Sequence, residues 1–178
     1  MSQVPILRVF GVNDRGNSVC AFVHGFEPYF YIPAPTASFG PSECEALRRL
    51  LDDKVREAQK RARGTLVTRI VPETKCSVWY YQKSLDRPFL KVVVATPNLV
   101  APCRTALERG VTVPGLGLQS FTTYESNVLY ALRFMIDCGI TGCNWVELPG
   151  GKYRLRGHDQ KITHCQIEAD ILFRWVRG

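Results

Sequence analysis

A chain of 178 residues, 46% apolar and 22% charged, is long enough to bury a real core and has the composition of an ordinary globular protein. No run approaches the ~18 apolar residues of a membrane span, and "MSQVPILRVFGV" lacks the basic region and long apolar stretch of a secretory signal. The net charge of +7, from 23 Lys and Arg against 16 Asp and Glu, points to a polyanionic partner, nucleic acid ahead of membrane, with a solvated basic surface as the plain alternative.

In chain order, "ILRVFGV" and "SVCAFVHGF" alternate as strands around the turn-prone "NDRGN" and predict a hairpin. "EPYFYIPAP" continues as an aromatic strand. Its prolines at 28, 33 and 35 confine it to an edge or to a strand end. A first helix follows from Pro41, with Ser42 and Glu45 as a capping box, Leu47, Leu50, Leu51, Val55, Ala58 and Ala62 as its apolar stripe, and Gly64 as its stop. Arg48, Arg49, Lys54, Arg56, Lys60, Arg61 and Arg63 form the other face, either solvated or turned toward phosphates.

"TLVTRIV", "CSVWYYQ" and "PFLKVVVAT" predict two or three strands, the last of them central because of its valine run. A second helix begins between Thr96 and Ala101, given Pro97 and Pro102, and ends at Gly110. "SFTTY" closes the unit as a strand. From the aromatic strand onward the order is β-α-β-β-α-β, a ferredoxin-like arrangement. A third helix is predicted from the capping box Thr122–Glu125 to Gly139, with Tyr124, Val128, Ala131, Leu132 and Met135 inward. "NWVEL", "KYRLR" and "HCQIEADIL" read as three further strands that return toward the N-terminal hairpin.

The expected fold is thus α+β. Segments 1–33 and 140–178 form a β-hairpin and partial, OB-like barrel, 34–123 a ferredoxin-like unit, and 124–138 a connecting helix.

The stretch "DCGITGCNWVELPGGKY" has the inventory of a metal or phosphate site but not the spacing. Cys138 and Cys143 are separated by four residues, and His158, His164 and Cys165 make no matching second pair. The glycine five positions before Gly151 that a phosphate loop requires is Val146, and Tyr153 follows Lys152 where a hydroxyl residue should stand. Seven scattered cysteines without C-x-x-C read as reduced, mostly buried thiols. The three histidines have no nucleophile elbow nearby, and Glu168 and Asp170 are the nearest approach to a paired-carboxylate strand. No catalytic residue, metal ligand or cofactor site is therefore expected. Tyr29, Tyr31, Trp79, Tyr80 and Tyr81, set among basic residues, suit stacking against single-stranded bases, or packing in a core or interface.

Taken together, "VPILRVFGV", "HGFEPYFYIPAP", "YESNVLYALRFMID", "GCNWVELPGGKY" and "CQIEADIL" closely resemble, in matching order over essentially the whole chain, the N-terminal domain of eukaryotic replicative family-B DNA polymerases. The resemblance implies a non-catalytic piece of a large nuclear enzyme. Its exonuclease D-x-E strand is expected shortly after "EADIL", and the polymerase motifs lie outside the sequence. So do the sites for magnesium, zinc and an iron–sulfur cluster, and the nuclear-targeting tail. The partners it implies are single-stranded template DNA, the exonuclease and polymerase domains of the same enzyme, and accessory subunits. Archaeal members carry a pocket that inspects template bases. By segment matching its wall falls on Pro28, Tyr29, Val100, Val128 and Arg133. Arg133 also stands four residues before Asp137, at ion-pair spacing. A protein-interaction scaffold without nucleic-acid binding of its own is the alternative function.

Overall fold

The computed structural model describes residues 4–12, 15–60, 62–76 and 86–141, and the backbone alone of 78–79, 82–83, 146–147 and 163–164. Among these the chain divides into two units, one from Glu27 to Asn127 and the other combining Val4–Phe26 with the chain from Val128 onward.

In the second unit, the predicted hairpin forms from β1 (Leu7–Val12) and β2 (Ser18–Val23), antiparallel, with Leu7 opposite Val23 and Val12 opposite Ser18. Leu7, Cys20, Ala21 and Val23 are buried, whereas Phe10 is 73% exposed.

The first unit is built on a three-stranded antiparallel sheet. Its elements are β3 (Tyr29–Pro33), α1 (Pro41–Ala58), β4 (Val67–Lys75), the short β5 (Val78–Trp79) and β6 (Gln82–Lys83) pair, β7 (Arg87–Val94), a 3₁₀ turn at Pro97–Leu99 and α2 (Val100–Glu108). The sheet order is β3-β7-β4. The predicted fourth strand is reduced to one bridge, in which Tyr31 and Tyr124 exchange both backbone hydrogen bonds at 3.0 and 2.8 Å. Counting that bridge, the order 4-1-3-2 of a ferredoxin-like unit is present, with β3-α1-β4 as its split crossover. The valine run makes β7 central as expected: Leu90, Val92 and Val94 are buried on one face, Phe89 and Val93 on the other. β3 and β4 are edges, which accommodates Pro33 at a strand end and Pro72 within β4.

The helices cover one face only. Leu47, Leu51 and Val55 of α1, with Cys103 and Leu107 of α2, pack against Phe30, Ile32, Leu90, Val92 and Val94. Each such aliphatic or aromatic side chain contributes roughly 1.5–3 kcal/mol on burial. α2 starts within the predicted window, at Val100 directly after the 3₁₀ turn that Thr96 precedes, and its last turn stops as predicted before Gly110, whose φ of +97° suits glycine. A Cβ there would also meet the Leu118 side chain at 3.0 Å.

Five expectations need correction. The strand Tyr29–Pro33, allotted to the 1–33 barrel, pairs with β7 and belongs to the ferredoxin-like unit, because only there can Phe30 and Ile32 be covered by α1. The start of α1 is set by Gly40 rather than Ser42. Glu43, three residues on, accepts the Gly40 N–H at 3.1 Å, while Glu45 is taken by Arg48 and Arg49. The helix stops at Ala58, before Gly64.

A hairpin of β8 (Val111–Val113) and β9 (Gly117–Gln119), turned by "PGL", follows α2 where no strand pair was expected. Lastly, the third helix, α3, spans Tyr130–Asp137 and does not begin at Thr122. Glu125 has φ +59°, which a right-handed helix cannot absorb, and the Thr123 hydroxyl is engaged with the Ser126 hydroxyl at 3.0 Å. The buried positions of α3 are Arg133 and Phe134, while Ala131 and Leu132 face outward.

The predicted end of α3 holds. Gly139 N–H bonds to Ile136 O at 3.2 Å and Ile140 N–H to Met135 O at 2.8 Å, a Schellman pair with Gly139 at φ +64°. Beyond it the backbone of β10 (Val146–Glu147) pairs in parallel with β11 (Thr163–His164). The rest of the expected C-terminal strands, and the barrel they would complete, lie outside the described residues.

Candidate nucleic-acid interface

Alternation divides each strand of the sheet between the helix-covered face and the opposite face. Tyr29 and Tyr31 of β3, Arg87, Phe89, Lys91 and Val93 of β7, and Arg69, Val71 and Glu73 of β4 share the face away from the helices. The register places Tyr31 beside Lys91 and Lys91 beside Val71.

Side chains on this face are closely interlocked. The Lys91 ammonium lies 3.9 Å from the centroid of the Tyr29 ring, and the Lys75 ammonium 5.0 Å from that of Tyr31. The two tyrosine rings meet edge to face at 5.5 Å. Glu73 gathers the group: it accepts the Tyr31 hydroxyl at 3.2 Å, pairs with Lys75 at 3.0 Å and stands 3.7 Å from Lys91. Arg69 is paired with Glu27, and Arg87 at the start of β7 is exposed. Tyr124 packs edge to face on Phe89.

The electrostatics follow from these contacts. Burial, then the charge of Glu73 and the bond to it, pushes the Tyr31 hydroxyl above the ordinary phenol range, so it stays a neutral donor. Burial opposes the charge of Glu73, but Lys75 and Lys91 outweigh it and hold that carboxyl below its ordinary value.

The nucleic-acid residues expected from sequence divide among different roles. Tyr29 and Tyr31 are brought together. Tyr31 is 7% exposed, however, and offers no free ring for stacking. Pro28 is buried, its carbonyl accepting Val94 N–H at 3.0 Å. Val100 starts α2 and packs against the core. Val128 and Arg133 belong to the second unit, where Arg133 is buried on α3 beside Phe134. Phe134 and Tyr130 pack on Phe26, and the Tyr130 hydroxyl donates to the Phe26 carbonyl. Trp79, Tyr80 and Tyr81 have no described side chains.

The basic stripe of α1 is largely consumed internally. Arg48 and Arg49 hold Glu45, pulling its carboxyl down to about 2; Arg56 binds Asp52 and Gly64 O; Lys54 donates to Gly110 O.

Sequence reading missed Lys75, Lys91 and Glu73. Their signal was alternation within β4 and β7, legible only once the register was known. Among the described residues, no group of three His, Cys, Asp or Glu side chains is placed to hold a metal. Burial, aided by the charge of Asp52, pushes the Cys103 thiol up to about 12, leaving it chemically inert.

This fold is similar to that of an archaeal family-B DNA polymerase, from Pyrobaculum calidifontis. It superposes with a TM-score of 0.59 at 22% identity, over 98% of this chain and 18% of that one. Residues 121–175 match the family described as DNA polymerase family B, exonuclease domain. The chain belongs to the family-B DNA polymerases.

Within that family it aligns with the delta branch. Residues 25–101 match the family described as DNA polymerase delta catalytic subunit-like, N-terminal domain. The DNA polymerase delta catalytic subunit of Glycine max is 49% identical over 171 residues, covering 96% of this chain and 15% of that subunit. Those of Arabidopsis thaliana and Mesocricetus auratus are 48% and 47% identical over 96% and 97% of the chain. The chain corresponds to the N-terminal region of these subunits and spans about a sixth of their length.

Proposed function

We propose that this chain is a non-catalytic, template-side segment of a nuclear replicative polymerase, binding single-stranded DNA through the sheet face that carries Tyr29, Lys75, Arg87 and Lys91. The observation that carries the reading is the Lys91 ammonium seated over the Tyr29 ring. It pairs a cation that can meet phosphate with an aromatic surface that can meet a base. In this reading the exonuclease and polymerase domains of the longer relatives, and accessory subunits, are its protein neighbours.

Titration of the 178-residue chain with a fluorescent single-stranded oligonucleotide is expected to show weak binding that falls steeply with salt. Lys91→Ala should weaken it by about three- to tenfold and reduce the slope of log K against log salt by about 0.7. Absence of binding at low salt, or an unchanged Lys91→Ala variant, would count against the reading.

A second reading, an interaction scaffold, is favoured by α3. Leu129, Leu132 and Ile136 are 74%, 48% and 57% exposed at i, i+3 and i+7. A docking role predicts that this chain associates with a delta-type catalytic subunit lacking its own N-terminal region, and that Leu132→Asp with Ile136→Asp abolishes the association.

A further inference from the structure

We propose that Glu73 is a resident anion in a phosphate site, occupying the place that a backbone phosphate of single-stranded DNA takes between Lys75 and Lys91. This rests on the reading that the helix-free sheet face binds single-stranded DNA, and it specifies where and how one phosphate is held.

One carboxylate here does three things. It accepts the Tyr31 hydroxyl at 3.2 Å through the same oxygen that meets Lys75 at 3.0 Å, and its other oxygen stands 3.7 Å from Lys91. Two cations and a neutral hydroxyl donor converging on one oxyanion is also the donor set that binds a phosphodiester. The cations are preplaced by aromatic rings rather than by the carboxylate alone, Lys91 over Tyr29 and Lys75 over Tyr31. They therefore keep their positions when Glu73 swings away.

The exposures suit exchange: the Glu73, Lys91 and Lys75 side chains are 29%, 26% and 45% exposed, so water and a diester can reach all three. Val71, at the register position of Lys91 on β4, is exposed and leaves an apolar floor beside the site. Arg87, exposed and paired in register with Lys75, lies where the next phosphate along the strand would pass.

The consequence is attenuation. Before it binds, DNA must displace Glu73, and the ion pairs lost to Glu73 offset part of those gained to phosphate. A template strand that must slide through a polymerase is served by contacts of this graded strength.

The test uses a fluorescein-labelled oligo(dT) and the intact chain as wild type, Glu73→Gln, Glu73→Gln with Lys75→Ala, and Glu57→Gln. The last removes one negative charge from the exposed side of α1, which packs on the other face of the sheet. Glutamine keeps an acceptor for the Tyr31 hydroxyl, and thermal unfolding verifies that each variant is folded.

Glu73→Gln is expected to bind about fivefold more tightly at low salt. Its salt slope should steepen by about 0.7 to 1.4, the contribution of one or two released cations. The double variant should return toward wild type, and Glu57→Gln should change little. Wild-type binding that Glu73→Gln leaves unchanged, or that Glu57→Gln strengthens equally, overturns the phosphate site while leaving DNA binding by this face intact. No binding by any variant overturns both.

Discussion

Replacing Phe30 with alanine is expected to cost about 4 kcal/mol of stability, the largest single effect in the first unit. Phe30 is fully buried, opposite Val92 on the central strand, and lies in the core under α1 and α2. Truncation removes the ring's transfer free energy and leaves a cavity that this packed layer cannot collapse to fill. The site should suffer with the core. β3 is held by β7 on one side and by the single Tyr31–Tyr124 bridge on the other, so a loosened Phe30 frees Tyr29 and Tyr31 as well. Urea denaturation should show the loss in the midpoint. Phe30→Leu, which keeps most of the volume, should lose less than half as much. A Phe30→Ala protein within about 1 kcal/mol of wild type would mean that the edge strand is not fastened by its core face.

Asp52→Ala is expected to cost about 3 kcal/mol for a different reason. The carboxylate sits among apolar residues on α1 and accepts the N–H of Leu66 at 2.7 Å and of Val67 at 2.9 Å, while Arg56 pairs with its other oxygen at 2.6 Å. Alanine would leave two backbone donors buried without an acceptor at the start of β4. Asp52→Asn, which keeps one oxygen, should recover about half of the loss.

The same bonds give a pH signature. Burial raises the carboxyl's affinity for protons, but Val67 N–H, Arg56 and Leu66 N–H together outweigh it, and the folded pKa lies below the ordinary value. The stabilisation is therefore complete above the unfolded pKa of about 3.9 and disappears as pH falls through the lower folded value. Wild type and Asp52→Asn should converge in stability as pH falls below the lowered folded pKa, and a gap that persists once the carboxyl is protonated in the folded protein would contradict this assignment.

Asp52 also marks a limit of sequence reading. A helical period picks out Leu47, Leu51 and Val55, and nothing in that period distinguishes a carboxylate that turns inward to cap a strand from one left in water. Both are compatible with 3.6-residue spacing, and the backbone N–H groups it satisfies are 14 and 15 residues away. The third helix shows the same limit from the other side. Its stripe was expected on Tyr124, Val128, Ala131, Leu132 and Met135, yet Phe134 and Arg133 face inward, because the packing of Phe134 and Tyr130 on Phe26 fixes the rotation of α3. Helical spacing offered more than one face, and a ring more than 100 residues away in the sequence chose between them.

By itself the sequence determined what local patterns can carry: the α+β class, the N-terminal hairpin, the central place of the valine-rich strand, the span of α2, the stop at Gly139 and the kinship with family-B polymerases. These rest on two- and 3.6-residue periods, on proline and glycine backbone geometry, and on the order of whole segments. Tertiary structure alone decided that Tyr31 is buried and bonded while Lys91 is seated over Tyr29. It also decided that Lys75 and Glu73, from another strand, complete the cluster. Strand register sets those neighbours, and register depends on how β3, β4 and β7 share one apolar face under the helices. That is a balance among residues up to about sixty positions apart in sequence, which no window along the chain contains.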